Sequence, residues 1–402
     1  MKYLILRRRP EVGDNPFTEM VGARSGDALQ LPFESASQEL RDRDVGDLRR
    51  DPSVIEVVPS IPFTLLKPVD EPSTGSVAQT AWGIEAVGAG SSPQNGKGVT
   101  IAVLDTGIDM THPAFAGLVF DAGDLMDFTV DERGVAGAAP DVHGHGTHVA
   151  GTIFGREVNG TRIGVAPGVN KVLIGKVLGP QGGPTEAVFN AIEWALTQRA
   201  DVISMSLGMD FPGVVAQLCE AGFPPDIAAS RALEAYRSNV RLFDRLADTV
   251  QARVARGRGA LLVAASGNES RRDENPQYTV ATSPPAAADG FISVGAVSQT
   301  GDMSSPFAVA RFSNTGCLLA APGVGILSAK LGGGLVSKSG TSMATPHVAG
   351  VIALWTQKLF PGGNRPNGWA RDVQRTIERH VIQVPGQVRN DVGLGIVQAP
   401  QP

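Results

Sequence analysis

The sequence predicts an α/β fold: a three-layer domain with a parallel sheet and helices on both faces, preceded by a small α+β domain. The buried strands are predicted by apolar runs without alternation, which is typical of strands covered on both faces. Helical segments fall between these runs, notably Thr185–Thr197, and such alternation indicates a parallel sheet. The runs are residues 99–104, 172–177, 202–205, 260–265 and 291–297.

Residues 1–66 differ in pattern from the remainder of the 402-residue chain. A strand is predicted at 3–6, a polar, arginine-containing stretch covers 39–50, and the β-branched run 53–58 predicts a second strand. Residues 67–80 combine Pro, Asp, Ser, Thr and Gly without a hydrophobic period, which is typical of a linker. We therefore expect a domain at 1–66, a linker at 67–80 and a domain at 81–402.

Composition excludes several classes of partner. The 35 Lys and Arg residues against 40 Asp and Glu residues give a net charge of −5, so nucleic acid is not an expected partner. The most apolar runs, 260–265 and 348–355, are much shorter than the roughly 18 residues needed to cross a bilayer, so no membrane partner is expected. The first twelve residues lack the order of a secretory signal. The predicted compartment is the cytoplasm, and export without a signal peptide is the alternative.

Three segments carry residues suited to nucleophilic catalysis. The run 99–104 leads directly to Asp105, residues 143–152 contain three histidines including His145, and residues 339–350 contain Ser342 before an apolar helix. A serine hydroxyl becomes a good nucleophile when a neutral imidazole takes its proton, and a carboxylate behind the imidazole stabilises the resulting cation.

These segments resemble the three signature motifs of the subtilisin-like serine proteases, and the resemblance extends over about residues 78–400. It implies that Asp105 orients His145, that His145 is the general base and that Ser342 is the nucleophile of a serine endopeptidase acting through an acyl-enzyme. Residues 264–269 resemble the oxyanion-hole segment of that family, which implies that Asn268 and the backbone N–H of Ser342 are the oxyanion donors. No cofactor is expected.

The resemblance also implies where a polypeptide substrate binds. Residues 205–208 and 179–183 resemble the two strands that hold extended substrate between them as an added β-strand. The pocket for the residue before the cut would have small, uncharged walls that include 283–286, with Glu269 at the rim, so a broad apolar preference is expected. The expected substrate-binding residues are Ser206, Leu207, Gly208, Gly182, Gly183, Ala265, Ser266 and Gly267.

Two other functional classes are alternatives. His143, His145 and His148 could ligate a metal in a metal-dependent hydrolase, but this spacing does not place them on one helix face and the segment has no glutamate base. A catalytically inactive peptide-binding scaffold of the same fold would require loss of a catalytic residue, and all are present. Asp109 and His112 are expected to be turn and surface residues.

The calcium site of many secreted family members is not expected here. The positions that correspond to its aspartate and asparagine hold Ala114 and Val158, which offer no side-chain oxygen, whereas calcium needs about six to eight oxygen ligands. The predicted metal content is therefore none.

Between Gly208 and Gly267 the chain is longer than the family pattern, which predicts a helical insertion at about 209–245. The run 227–256 is predicted to form a long helix that packs on its own domain. The alternative is self-association through 227–256, because apolar residues recur there with heptad spacing. They are Leu233, Tyr236, Val240, Phe243, Ala247, Val250 and Val254.

The resemblance gives residues 1–66 the role of an inhibitory, chaperone-like propeptide that acts in cis and is removed by autoprocessing. Residues 51–58 would form its last strand and 59–66 its tail in the cleft, with Leu66 in the pocket before the cut and Phe63 in a second apolar pocket. The alternative is an N-terminal domain that is never removed.

Overall fold

A computed structural model describes residues 2–9, 32–65, 80–255 and 257–402. Leu66 and all of the predicted linker 67–80 except Thr80 lie outside the described residues. The helices are α1 (Asp42–Leu48), α2 (Trp82–Ala86), α3 (His145–Phe154), α4 (Thr185–Thr197), α5 (Phe211–Glu220), α6 (Pro225–Val254), α7 (Thr341–Leu359), α8 (Trp369–Arg379) and α9 (Arg389–Val392). No helix within these ranges is long and apolar enough to cross a membrane.

The strands follow in chain order. They are β1 (Lys2–Arg8), β2 (Phe33–Glu39), β3 (Val54–Pro59), β4 (Pro62–Leu65), β5 (Thr100–Asp105), β6 (Leu125–Asp127), β7 (Val135–Ala136), β8 (Lys171–Lys176), β9 (Gly183–Pro184), β10 (Val202–Met205), β11 (Leu207–Gly208), β12 (Leu261–Ala265), β13 (Phe291–Gln299), β14 (Phe307–Val309), β15 (Leu319–Pro322), β16 (Ile326–Ala329), β17 (Leu335–Lys338), β18 (Val381–Ile382) and β19 (Ile396–Val397).

The predicted α/β fold is confirmed. The five predicted strands are present within two residues of their predicted bounds, and they lie side by side in parallel in the order β13-β12-β10-β5-β8. The sheet as a whole is mixed rather than parallel throughout, because β7, β14 and β18 pair antiparallel at its margins. The short connections 128–134 and 300–306 allow β7 and β14 to pair antiparallel with the strands before them, whereas parallel neighbours need a longer crossover.

Alternate residues of the central strands enter two different cores. In β5, Ile101 and Val103 pack on the side of α3 and α7, whereas Ala102 and Leu104 pack on the side of α4 and α6. Successive side chains of a strand point to opposite faces, so a strand covered on both sides must be apolar at every position. This arrangement accounts for the unalternating runs in the sequence.

The N-terminal domain is a three-stranded antiparallel sheet in the order β2-β1-β3. One face of β1, with Tyr3 and Ile5, packs with helix α1 in a small hydrophobic core. Helix α1 lies within the stretch 39–50, for which the sequence predicts no helix. The other face, with Leu4 and Leu6, joins the core beside α4 and α6. The domain therefore shares its hydrophobic core with the larger domain.

The insertion forms a helical hairpin of α5 and α6. The buried face of α6 includes Leu242, Phe243, Leu246 and Val250, which join the core beside the sheet. The heptad stripe does not form one buried seam, because Leu233 is 50% exposed. The prediction that the helix packs on its own domain agrees with this burial, and self-association stays an untested hypothesis.

Candidate active site

Asp105 and His145 lie together at the carboxyl edge of the central sheet. Asp105 is the last residue of β5, His145 is the first residue of α3, and Asp105 Oδ1 lies 2.8 Å from His145 Nδ1. Both side chains are buried. A side chain at Gly146 would collide with the carbonyl oxygen of Gly107, so glycine at position 146 is what allows α3 to begin this close to the end of β5. The carboxylate can therefore orient the imidazole, as the sequence predicts.

A second aspartate, Asp141, positions this histidine and was missed by the sequence reading. Its carboxylate accepts hydrogen bonds from Thr106 Oγ1 at 2.9 Å, from Thr147 Oγ1 at 2.6 Å and from the backbone N–H groups of His143, Gly144 and Thr147. Burial acts to raise the pKa of Asp141, but these donors outweigh it and the net pKa lies below the ordinary range. Asp141 lies three residues before Gly144, the N-cap of α3, so the usual capping position does not identify it.

Ser342 is the second residue of α7 and is fully buried. Its Oγ donates to the carbonyl oxygen of Ser206 at 3.3 Å, and Ser206 Oγ donates back to the carbonyl oxygen of Ser342 at 2.9 Å. Within the described part of the chain, His145 Nε2 has no hydrogen-bond partner. The structure therefore contains the Asp–His contact but no hydrogen bond between His145 and Ser342, and such contacts often tighten only when substrate is bound.

Asn268 follows strand β12 and is held against the start of α7. Its Oδ1 accepts hydrogen bonds from Thr341 N–H at 2.9 Å and from Thr341 Oγ1 at 2.8 Å. These two donors define which end of the amide is the oxygen, so Nδ2 points away from Thr341. Thr341 precedes Ser342 in the chain. These hydrogen bonds therefore fix the position of Asn268, the proposed oxyanion donor, relative to the segment that contains Ser342.

The loop after β12 depends on a second missed residue, Asn314, which is fully buried. Its Nδ2 donates to Glu269 Oε2 at 2.6 Å and to the carbonyl oxygen of Ser266 at 3.2 Å. A side chain at Gly267, where φ is +117°, would collide with Asn314 and Glu269. Burial raises the pKa of Glu269, which outweighs the hydrogen bond from Asn314. The loop therefore places a carboxyl of weakened acidity beside Ala265, Ser266 and Gly267.

The predicted substrate strands hold a strand of the chain's own N-terminal region. Strand β4 pairs antiparallel with β11, where Leu65 faces Leu207 and Thr64 faces Gly208. On its other edge β4 pairs antiparallel with β9, where Phe63 faces Gly183. A side chain at Gly182 would collide with the carbonyl oxygen of Phe63. The cleft therefore accommodates an extended peptide with backbone pairing on both sides.

Phe63 fills an apolar pocket beside this cleft. It is fully buried, and its ring lies edge-on to Phe243 of α6 at a centroid distance of 5.7 Å. The sequence places Phe63 in such a pocket, but nothing in the sequence identifies Phe243 as a wall of it. The predicted position of Leu66 cannot be compared, because Leu66 lies outside the described residues.

The three histidines of the alternative metal site do not converge. His145 binds Asp105, and His148 Nε2 donates to the carbonyl oxygen of Ile326 at 2.9 Å. In the described part of the chain, no group of three or more His, Cys, Asp or Glu side chains is arranged to hold a metal ion. His112 is not the surface residue that the sequence suggested: it is buried, with Nε2 2.8 Å from the carbonyl oxygen of Gly334 and Nδ1 accepting from Ala114 N–H.

His148 makes acid stability a testable property of the fold. Burial lowers the pKa of His148 to about 3, whereas a histidine in an unfolded chain titrates near 6.5. Between these values the unfolded chain holds the proton and the folded chain does not, so the free energy of unfolding falls as pH falls, by about 1.4 kcal/mol per pH unit. The His148→Gln variant is expected to have a lower Tm than the parent protein at pH 7.5. Between pH 7.5 and pH 5, the Tm of the variant should fall less than the Tm of the parent.

This prediction is measured as Tm against pH, with every protein compared in the same buffers. His380→Gln is the matched control, because it makes the same substitution at an exposed histidine. A His148→Gln slope that equals the parent slope would contradict the prediction.

Comparison with known proteins agrees with this geometry. The family model described as the subtilase family matches residues 96–395, well over half of the chain. The major intracellular serine protease of Bacillus subtilis is 37% identical over 263 residues, covering 64% of this chain and 68% of that protein. The intracellular serine protease of Paenibacillus polymyxa is 34% identical over 326 residues, covering 79% and 85%. The thermostable alkaline protease of Halalkalibacterium halodurans is 33% identical over 331 residues, covering 79% and 70%.

A match of this extent includes the segments that carry Asp105, His145, Asn268 and Ser342, and the five predicted strands lie in parallel in the sheet around them. The chain belongs to the subtilase family, the subtilisin-like serine proteases.

Proposed function

We propose that this chain is a serine endopeptidase that uses Asp105, His145 and Ser342 and that is made as an autoprocessed zymogen. The observation that carries the proposal is strand β4, an extended peptide held in the cleft as a strand. Its residue Leu65 faces Leu207, the neighbour of Ser206, which is hydrogen-bonded to Ser342. A peptide in this path passes beside the proposed nucleophile.

The proposed reaction has two halves. His145 Nε2 removes the proton of Ser342 Oγ, which attacks the carbonyl carbon, while Asp105 holds the imidazolium through Nδ1. Asn268 Nδ2 and the N–H of Ser342 stabilise the oxyanion until the C–N bond breaks, and His145 then gives its proton to the leaving amine. Water attacks the acyl-enzyme with His145 again as base, which releases the acid and restores Ser342.

The proposed preference before the cut is broad and apolar. The segment Ala265, Ser266 and Gly267 presents small side chains, and its neighbour Ser283 donates its N–H to the carbonyl oxygen of Ser266 at 3.1 Å. Glu269 Oε2 beside this segment already accepts a hydrogen bond from Asn314 Nδ2 at 2.6 Å, which leaves this oxygen less available to a basic side chain.

The zymogen proposal is supported by the contacts of the N-terminal domain with the helices beside the cleft. Glu56 pairs with Arg245 of α6 at 3.3 Å, and Ser35 Oγ donates to Asn190 Oδ1 of α4 at 2.9 Å. The ring of Phe33 packs on Phe189. With β4 in the cleft, these contacts would keep substrate out until the segment is cut.

Fluorophosphonate labelling tests the proposed activity directly, because the reagent reacts covalently with an activated serine. Wild-type protein incubated until its activity is constant is expected to be labelled and to hydrolyse a denatured protein. Ser342→Ala should show neither property. Hydrolysis by Ser342→Ala that depends on added metal would favour the metal-dependent alternative, and absence of labelling and hydrolysis in wild type would favour the inactive scaffold.

Autoprocessing has its own test. Full-length wild-type protein is expected to lose about 66 residues on standing, because the proposed cut after Leu66 lies at the start of the predicted linker 67–80, whereas Ser342→Ala should keep its full mass. Intact-mass measurement and N-terminal sequencing follow the change. A fully active enzyme that retains Met1 would instead support an N-terminal domain that is never removed.

The names of two relatives include the word intracellular, which supports the cytoplasm as the proposed compartment of this chain.

A further inference from the structure

The contacts that hold the N-terminal strand continue beyond the two substrate strands. Thr185 follows β9 directly and is the first residue of α4. Its Oγ1 accepts the N–H of Ile61 at 3.2 Å and lies 3.2 Å from the carbonyl oxygen of Ile61. Asn239 of α6 donates from Nδ2 to the carbonyl oxygen of Pro59 at 3.2 Å. Backbone contacts with the N-terminal segment therefore extend from β4 back to Pro59, the last residue of β3.

Thr185 and Asn239 form one buried unit. Thr185 Oγ1 lies 3.0 Å from Asn239 Oδ1, and both side chains are fully buried. Asn239 Nδ2 also bonds the carbonyl oxygen of Ala235 one turn earlier in α6 at 3.0 Å, which holds the amide in place. A buried polar pair fixed in this way is already oriented to receive a peptide.

The groups that this pair contacts on the bound segment are backbone groups: the N–H and C=O of Ile61 and the C=O of Pro59. Every polypeptide carries such groups, so this recognition does not depend on side-chain sequence. When the N-terminal segment leaves, these buried polar atoms lose partners, and a long substrate in the same path restores them. The site therefore suits a substrate, as well as the chain's own segment.

We infer that Thr185 and Asn239 form a substrate subsite for the backbone of residues six to eight positions before the scissile bond, so that the preferred substrates are long extended polypeptides. The count takes Leu66 as the residue before the cut, which makes Ile61 the sixth and Pro59 the eighth. The inference rests on the proposed function. The proposed subsite includes Asn239 of α6, the helix that the insertion lengthens. It does not include the residues proposed to carry out the reaction.

Two chromogenic substrates test the inference. The short one is the acetylated p-nitroanilide of residues 63–66, and the long one is the acetylated p-nitroanilide of residues 59–66. The full-length protein is incubated to constant activity before the assay. The long substrate is expected to have a kcat/KM about tenfold higher, mainly through a lower KM, as two or so additional hydrogen bonds would provide.

Variants of Thr185 and Asn239 distinguish the loss of this subsite from a general loss of stability or activity. Asn239→Asp keeps the shape of the side chain and loses the N–H donor, and Thr185→Val loses the hydroxyl. Each is expected to reduce the long-to-short ratio to about threefold or less, because the lost group contacts residues 59 and 61, which the short substrate lacks. Thr185→Ser should restore the ratio. Ser238→Ala is the matched control, because among the described residues Ser238 Oγ bonds only the carbonyl oxygen of Glu234 in its own helix.

The outcomes distinguish the inference from the proposed function. If wild type hydrolyses both substrates equally, or if Asn239→Asp and Thr185→Val both keep the wild-type ratio, the inference is wrong and the proposed function stands. If wild type hydrolyses neither substrate nor a denatured protein, the proposed function is wrong and the inference falls with it. Should one variant fail to fold, the other decides, because each removes a different contact.

Discussion

Replacement of Ser342 by Ala is expected to lower kcat/KM for a peptide substrate by about 10⁴- to 10⁶-fold, with His145→Ala close behind. The loss is large because both side chains act in one step, the transfer of the Ser342 proton to His145 as the carbonyl is attacked. The double variant should lose little more than either single variant, since neither residue functions without the other. The measurement is p-nitroaniline release, with Tm as the check that each variant is folded.

His143→Ala is the matched control for the choice of base. His143 is exposed, and its ring centroid lies 6.4 Å from that of His145, so the variant alters the surroundings of the base without removing it. It is expected to retain activity within about tenfold of wild type, as a change outside the reacting groups should. If His143→Ala is as inactive as His145→Ala, the assignment of His145 as general base is wrong.

Replacement of Asn268 by Ala is expected to lower kcat by about 10²- to 10³-fold with little change in KM. The amide oxygen of Asn268 is occupied by Thr341, at 2.9 Å from its N–H and 2.8 Å from its Oγ1, so Nδ2 is directed away from Thr341. Negative charge on the substrate oxygen develops only in the transition state, and a donor for that charge therefore acts on kcat rather than on substrate binding. Steady-state kinetics on one peptide substrate measures both constants.

Thr341→Val provides the comparison for this prediction. It removes the hydroxyl donor and leaves the backbone N–H of Thr341 to orient Asn268, so kcat should fall by less than about tenfold. A rise in KM at constant kcat in Asn268→Ala would contradict the oxyanion role and would indicate that Asn268 binds the ground state of the substrate.

The central strands and the residues proposed for catalysis were predictable because their signals are local. A strand buried on both faces must be apolar at each position, so β5 and β12 are evident from a few consecutive residues. Asp105, His145 and Ser342 stand in long motifs at the ends of such elements, where an α/β sheet places its chemistry. The heptad pattern in α6 was less informative, because spacing alone does not state which face is covered: Leu233 fits the pattern and is 50% exposed.

The supporting residues were not predictable, because their partners are distant in the chain. Asn314 holds the loop that contains Gly267, and Asn239 reaches Pro59 across 180 residues of sequence. A single asparagine forms no recognisable sequence pattern. These two asparagines stabilise the structure because they are buried and their hydrogen bonds are satisfied. Only packing brings these groups together.

The sequence by itself determined the α/β sheet, its order of motifs and the residue types available at the carboxyl ends of its strands. Tertiary structure decided what covers the second face of β1 and where the N-terminal tail lies. Tyr3 and Ile5 pack in the small core with α1 and β3, whereas Leu4 and Leu6 join the core of the larger domain beside α4 and α6. The physical reason is that an apolar strand shows from its residues alone that both of its faces must be buried, whereas the surfaces that bury them are determined by shape and backbone pairing across the folded chain.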